Sequence, residues 1–142
     1  MDTVHLIVGS TLGAAEYVAD ALATELANRG INHHLYLEPQ LVQLPPQGYW
    51  LLVSSTHGAG ELPDNIQPFA AELATEPDLS AVKYAVFALG DSSYDTFCEG
   101  GKTLDTLMQT AGASRLWPMI TLDVLDETLP EDRAVAYLIE QI

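Results

Sequence analysis

The run Val4-His5-Leu6-Ile7-Val8-Gly9-Ser10-Thr11-Leu12-Gly13-Ala14-Ala15-Glu16 constrains this chain more than any other stretch. An apolar, β-branched segment ends in a turn of small residues, and a helical pattern begins at once. A strand–turn–helix join of this kind gathers backbone N–H groups at a helix N-terminus, where one phosphate is readily held. The turn carries no cation: the five basic residues, Arg29, Lys83, Lys102, Arg115 and Arg133, all lie elsewhere. A phosphate bound there would rest on dipoles and hydroxyls, which points away from nucleoside triphosphates. A helix simply capped by Ser10 or Thr11 is the plainer alternative.

The same alternation continues along the chain. Strands are expected at Val4–Gly9, Asn32–Leu37, Tyr49–Ser54, Tyr84–Leu89 and Trp117–Leu122. Most are continuous apolar runs, the pattern of strands covered on both faces. His33, His34 and Tyr36 make the second run more polar, which suits an edge. Helical spacing fills the gaps at Ala14–Asn28, Ile66–Thr75, Thr96–Ala111 and Pro130–Ile142, with Gly30 and Gly112 as stops and Pro130 as an opening residue. Leu41–Leu44 suggests a short helical turn before Pro45-Pro46. No linker or internal repeat interrupts the order, so residues 1–142 are expected to form one α/β domain with a doubly wound parallel sheet.

Composition excludes several classes. The single cysteine, Cys98, rules out a disulfide framework and a cysteine-rich zinc site. No apolar run reaches the ~20 residues that cross a bilayer. The opening Met1-Asp2-Thr3 has no basic stretch of the kind that starts a signal peptide, so a cytoplasmic location is expected. A net charge of −15 opposes binding to nucleic acid or an anionic membrane and favours encounter with a basic protein surface.

In a doubly wound sheet, ligands sit outside the carboxyl ends of the strands, so the loops there are the candidates. After the first strand, Ser10–Ala15 lacks both the Gly-Lys-Ser/Thr of a triphosphate loop and the three spaced glycines of a dinucleotide fingerprint. After the third, Ser54-Ser55-Thr56-His57-Gly58-Ala59-Gly60-Glu61-Leu62-Pro63-Asp64-Asn65 is a long, shaped loop whose glycines let backbone approach a flat ligand. After the fourth, Leu89-Gly90-Asp91-Ser92-Ser93-Tyr94-Asp95-Thr96-Phe97-Cys98 sets the Tyr94 ring at a loop tip, fit either to stack on a planar ligand or to pack at a helix start. After the fifth, Asp123 is placed to accept a hydrogen bond from a sugar-like hydroxyl, or to be a solvated turn carboxylate. Each loop fits one part of a phosphate–polyol–planar-ring ligand.

The stretches GSTLGAAEYVA, SSTHGAGELPDN, LSAVKYAVFALGDSSYDTFC and the closing LPED together resemble the flavodoxin family, particularly its short members, over essentially the whole chain. The second and third also resemble the FMN domain of diflavin reductases. The resemblance implies a three-layer sandwich around a five-stranded parallel sheet. The strand order 2-1-3-4-5 is that of flavodoxins themselves and comes with the resemblance. It implies FMN, bound without a covalent link. By position, Ser10, Thr11, Leu12, Gly13, Ala14 and Ala15 would hold the phosphate. Ser55, Thr56, His57, Gly58 and Gly60 would line one side of the isoalloxazine, and Leu89, Gly90, Asp91, Tyr94, Phe97 and Cys98 the other. Tyr94 would stack on the outer face, and Asp123 would reach the ribityl or phosphate end. Many flavodoxins carry hydroxyl residues where Leu12 and Ala15 stand, so weaker phosphate binding is expected. The diflavin pattern has Tyr where His57 stands, which alters flavin stacking and brings a titratable ring near the flavin.

The function so implied is one-electron transfer: a separate NADPH-dependent, flavodoxin reductase-like donor, this chain as carrier, and an acceptor enzyme with a basic docking surface. The short branch of the family implies an iron–sulfur acceptor, with biotin synthase the specific expectation. No catalytic triad, metal motif or paired carboxylates compete with that reading, and no catalytic or metal-binding residues are expected. Two alternatives remain: a flavin reductase acting directly on a small molecule, and a flavin-free interaction module that has kept the fold.

Overall fold

The computed structural model describes residues 1–142. The strands are β1 (Thr3–Gly9), β2 (Asn32–Tyr36), β3 (Gln47–Ser54), β4 (Ala81–Gly90), β5 (Ser114–Arg115) and β6 (Ile120–Asp123). The helices are α1 (Ala14–Asn28), α2 (Gln67–Leu73), α3 (Glu99–Thr110) and α4 (Pro130–Gln141), with short 3-10 turns at Leu41–Gln43 and Asp64–Ile66. All strand pairs are parallel, in the order β2-β1-β3-β4-β5, and β6 also pairs with β4. This is the expected flavodoxin-like sandwich, with helices on both faces.

The apolar runs follow from double coverage. Along β1, Val4, Leu6 and Val8 enter one core with Leu22 and Leu26 of α1 and Leu138 of α4, while Ile7 enters the other. Along β3, Leu51 and Val53 face the first core, and Trp50 and Leu52 face the second with Phe69 of α2 and Leu104 of α3. Alternate residues thus point to opposite faces, and both faces are dry. Coverage thins at β2, where no residue is fully buried, while His5 of the neighbouring β1 is buried with its Nδ1 2.9 Å from Tyr36 Oη. Burial, with His34 alongside, holds the His5 imidazole below its usual pKa.

The last strand differs from expectation. Instead of one segment at Trp117–Leu122, it is split. Ser114 and Arg115 pair with Lys83 and Tyr84, and pairing resumes only at Ile120 opposite Phe87. Four residues, Leu116–Met119, therefore stand opposite two on β4, Ala85 and Val86, and the excess bulges out. Pro118 has no N–H to give a ladder. Its carbonyl instead accepts a hydrogen bond from Tyr137 Oη of α4 at 2.6 Å, while Trp117 turns into the first core.

The third helix also begins later than expected, at Glu99 instead of Thr96. Cys98 adopts a left-handed conformation (φ 58°) that breaks the helical path before it. The first turn of α3 then lies directly on the strand ends. A Cβ at Gly100 would come within 2.6 Å of the Ser55 carbonyl oxygen, and one at Gly101 would collide with Ala88. Only glycine permits that approach.

Candidate functional site

All the expected site loops emerge from one end of the sheet, because every strand runs the same way. Two neighbouring features are built there, a backbone cradle and an aromatic cleft.

The cradle is the β1–α1 turn. Gly13 supplies the left-handed residue (φ 92°) that turns the chain into α1. Ser10 Oγ accepts the Gly13 N–H at 3.0 Å, so Ser10 is the turn's brace. The Ser10 N–H is itself spent on Asn65 Oδ1 at 2.9 Å. The N–H groups of Thr11, Leu12, Ala14, Ala15 and Glu16 find no acceptor within the protein. They crowd the positive end of a 15-residue helix. The Leu12 side chain is 93% exposed, while Ala15 is buried against the first core. Ala15 can therefore offer only its N–H, because a side chain at this position points into packed residues.

The cleft lies between the β3 and β4 loops. It has a volume of about 230 Å³ and is lined by Thr56, Gly58, Asp91, Tyr94, Thr96 and Phe97. Its β3 side is a tight reversal: His57 and Glu61 exchange two backbone hydrogen bonds at 2.8 and 2.9 Å, with Gly58 at φ 50° and Gly60 at φ 109°. Glu61 Oε2 accepts the Ala59 N–H at 2.8 Å and fixes the tip. The His57 side chain is exposed beside it. On the β4 side, Asp91 Oδ1 accepts the Ser93 N–H at 2.9 Å, shaping the turn that presents Tyr94, which is 64% exposed. The Gly58 and Asp91 N–H groups have no protein acceptor. The cleft thus offers an aromatic surface and free polar donors together.

Thr56 lines the cleft and also ties elements together, while the other expected residues lie behind its wall. The Thr56 hydroxyl accepts the Gly100 N–H at 3.0 Å and donates to the Leu89 carbonyl at 3.3 Å, tying α3 to β4. The Ser55 N–H donates to the Gly9 carbonyl at 2.9 Å. Leu89 and Cys98 are buried in the two cores. Burial pushes the Cys98 thiol up to about 11, and its Sγ donates to the Ala88 carbonyl at 3.3 Å. Gly90 lies where a Cβ would approach Cys98 N to 2.7 Å, so it serves the close passage of the two segments. Asp123 Oδ1 accepts the Ser92 N–H at 3.2 Å and the Leu125 N–H at 3.0 Å. Hydrogen bonding to the Ser92 side chain, and then to the Leu125 N–H, holds its carboxyl below the usual aspartate range. Asp123 thus joins the β4 and β6 loops. Sequence reasoning missed Thr96 as a lining residue and Asn65 as the partner of Ser10. The signal for Asn65 was its place at the end of the glycine-rich loop.

The flavodoxin family model matches residues 6–137. Protein MioC of Escherichia coli is 42% identical over 139 residues, covering 97% of this chain and 95% of its own length. The chain belongs to the flavodoxin family. The Haemophilus influenzae MioC homolog is 41% identical over 134 residues, 94% of this chain and 92% of that protein. A cysteine-to-alanine variant of flavodoxin from Pseudomonas aeruginosa superposes with a TM-score of 0.87 at 35% identity, over 97% of this chain and 95% of that one. The sulfite reductase flavoprotein alpha-component of Shewanella oneidensis is 40% identical over 126 residues, 86% of this chain but 21% of that longer protein. Flavodoxins bind FMN and carry electrons, and this flavodoxin-family chain is an FMN-binding electron carrier and not a stand-alone enzyme. No helix is long and apolar enough to cross a membrane.

The residues present fit that cofactor. FMN joins an anionic phosphate to a flat ring with a polar edge. The cradle's free N–H groups suit the first, and the Tyr94 cleft with the free Gly58 and Asp91 donors suits the second. The chemistry of the donor set matches a single phosphate, since no Lys or Arg stands in the turn to neutralise a longer chain of them.

Proposed function

We propose that this chain receives electrons from an NADPH-dependent, flavodoxin reductase-like protein and delivers them singly to an iron–sulfur acceptor enzyme with a basic docking face, biotin synthase being the first candidate. The observation that carries the reading is the pairing, at one end of the sheet, of a partnerless N–H cradle with an open aromatic cleft. In this reading Thr11, Leu12, Ala14, Ala15 and Glu16 hold the phosphate through their N–H groups, and Ser10 and Gly13 shape the turn. Gly58, Asp91, Tyr94 and Phe97 receive the ring, with His57 and Gly60 at the rim. Thr56 lines the cleft and ties α3 to β4, Leu89, Gly90 and Cys98 fix the walls from behind, and Asp123 holds the adjoining loops.

FMN, when bound, supplies the ability to take and give electrons one at a time, and the protein sets the surroundings. Tyr94 stacks on the ring and excludes water from one face. The Gly58 peptide, held in a left-handed turn that glycine adopts at little cost, can rotate to present N–H or carbonyl to the ring edge. Most of the chain's acids gather at this end: Glu16, Glu38, Glu61, Asp64, Asp91, Asp95, Glu99, Asp123, Asp126, Glu127, Glu131 and Asp132. The two bases nearby are already paired, Lys102 with Glu99 at 3.4 Å and Arg133 with Asp126 at 2.7 Å. The resulting field disfavours added negative charge in the cleft and steers basic partners to it.

The test is a sequence of spectra. Purified protein incubated with FMN is expected to retain a yellow chromophore through desalting. NADPH alone should leave it oxidised, and a flavodoxin-type reductase should then bleach it, more slowly as salt is raised. Bleaching by NADPH alone would establish a direct reductase, and a colourless protein would establish a flavin-free module.

A further inference from the structure

The side chain of Asn65 is the most fully engaged polar group near the cradle. Its Nδ2 donates to the Val8 carbonyl and to the Leu37 carbonyl, each at 2.7 Å, and its Oδ1 accepts the Ser10 N–H at 2.9 Å. The amide's orientation is settled by chemistry, since two carbonyls need the NH₂ and an N–H needs the oxygen. Three loops thus meet on one side chain: the end of β1, the end of β2 and the long loop after β3. Asn65 is itself anchored by its neighbour Ile66, fully buried in the second core.

These bonds act on the cradle in series. Asn65 removes the Ser10 N–H from the set of free donors and fixes that peptide plane. Ser10 Oγ, so oriented, accepts the Gly13 N–H at 3.0 Å, and Gly13 turns the chain into α1. The N–H groups left without partners are those of Thr11, Leu12, Ala14, Ala15 and Glu16. A turn lacking the Asn65 brace is free to rotate those peptides away from a common point, because its tip residues Thr11 and Leu12 are exposed and make no other hydrogen bonds.

Resting on the FMN reading above, we infer that Asn65 is the positioning residue for the phosphate group. It touches no ligand atom but holds the cradle's donors converged before the anion arrives. A residue that merely stabilised the fold would affect all flavins alike. A residue that organises the phosphate donors affects FMN and spares riboflavin, which has the same ring and polyol but no phosphate.

The experiment compares the dissociation constants of FMN and riboflavin for the full chain and for Asn65→Ala. The expected result is a loss of about tenfold in FMN affinity, the worth of a hydrogen bond to a charged group, with riboflavin affinity changed less than about twofold. An unchanged FMN-to-riboflavin ratio, or an equal loss for both, would overturn the inference. Should the variant fail to fold, amide exchange in the flavin-free wild-type protein decides instead. Ser10 N–H is expected to be protected while Thr11, Leu12 and Ala14–Glu16 exchange freely, and FMN should then protect only the latter. A Ser10 N–H that exchanges as fast as its neighbours overturns the inference. A wild-type protein that binds neither flavin refutes the FMN reading itself and is told apart from these outcomes.

Discussion

The two ends of this sheet are made by the same strands and have opposite characters. At the amino ends of the strands the turns after α1 and α3 are short and closed. Arg29, Gly30 and Ile31 return their N–H groups to the last carbonyls of α1, and Gly112 and Ala113 do the same for α3. Two of the three bases there are paired, Arg29 with Glu25 at 2.9 Å and Arg115 with Asp105 at 2.5 Å. Asp105 also accepts the hydroxyl of fully buried Tyr84 at 2.6 Å. At the carboxyl ends the loops are long, several N–H groups are left free, and acids accumulate with few cations. These exposed donors are met by water when nothing else is bound, so an anion or a polar ring edge can take them without breaking a bond within the protein. The closed end holds the fold, and the open end is kept available to a ligand and to partners.

This contrast can be broken by substitutions that move stability and flavin affinity separately. The largest effect is expected at the closed end. Asp105→Ala leaves the buried Tyr84 hydroxyl and Arg115 without their carboxylate partner and should cost about 2–3 kcal/mol in urea unfolding, with FMN affinity within twofold of wild type. A large loss of affinity would show that the ends are not independent. Next is Tyr94→Ala at the open end. Its ring is mostly exposed, so unfolding of the flavin-free protein should be unchanged, while FMN and riboflavin should both bind about tenfold more weakly, or ~1.4 kcal/mol. Leu12→Thr adds a hydroxyl where the side chain is solvent-exposed. Fluorescence titration should show FMN binding tightened by up to about fivefold, near 1 kcal/mol, with riboflavin unaffected.

The smallest effect is pH dependence at the edge near the closed end. Burial lowers the folded-state pKa of His5 below its ordinary value of 6.5. The contribution of neutral His5 is therefore fully present above pH 6.5 and is lost as pH falls through the lower folded value. Urea midpoints of the flavin-free protein should decline across that window, and His5→Leu should flatten the decline. A steeper decline in the variant would put the sensitive group elsewhere.

The sheet, its helices and the loop cluster were legible because apolar runs and glycine stops are local signals. Val4–Gly9 and Tyr84–Leu89 could hardly be anything but covered strands. What was not legible depended on contacts between distant residues. The split of the last strand turns on how β4 registers against Arg115 and Ile120, which no window around Trp117 contains. Thr56 reads as a wall of the site and is one, but that its hydroxyl also accepts the Gly100 N–H of α3 shows only in the fold. Cys98 belongs to the same short run as Tyr94, yet a left-handed residue turns one inward and leaves the other outside. Asn65 stands at the end of the glycine-rich loop, but its bond to Val8 spans 57 positions and shows only in the fold.

The central claim is that main-chain donors of the β1–α1 turn grip the phosphate while the ring lies in the Tyr94 cleft. Amide-resolved NMR of the flavin-free protein, titrated first with riboflavin and then with FMN, tests it directly. Both flavins should shift Gly58, Asp91 and Tyr94, and only FMN should shift Thr11, Leu12, Ala14, Ala15 and Glu16, as their N–H groups gain a charged acceptor. If FMN left those five amides unmoved, or moved amides at the amino ends of the strands instead, the assignment of the site would be wrong.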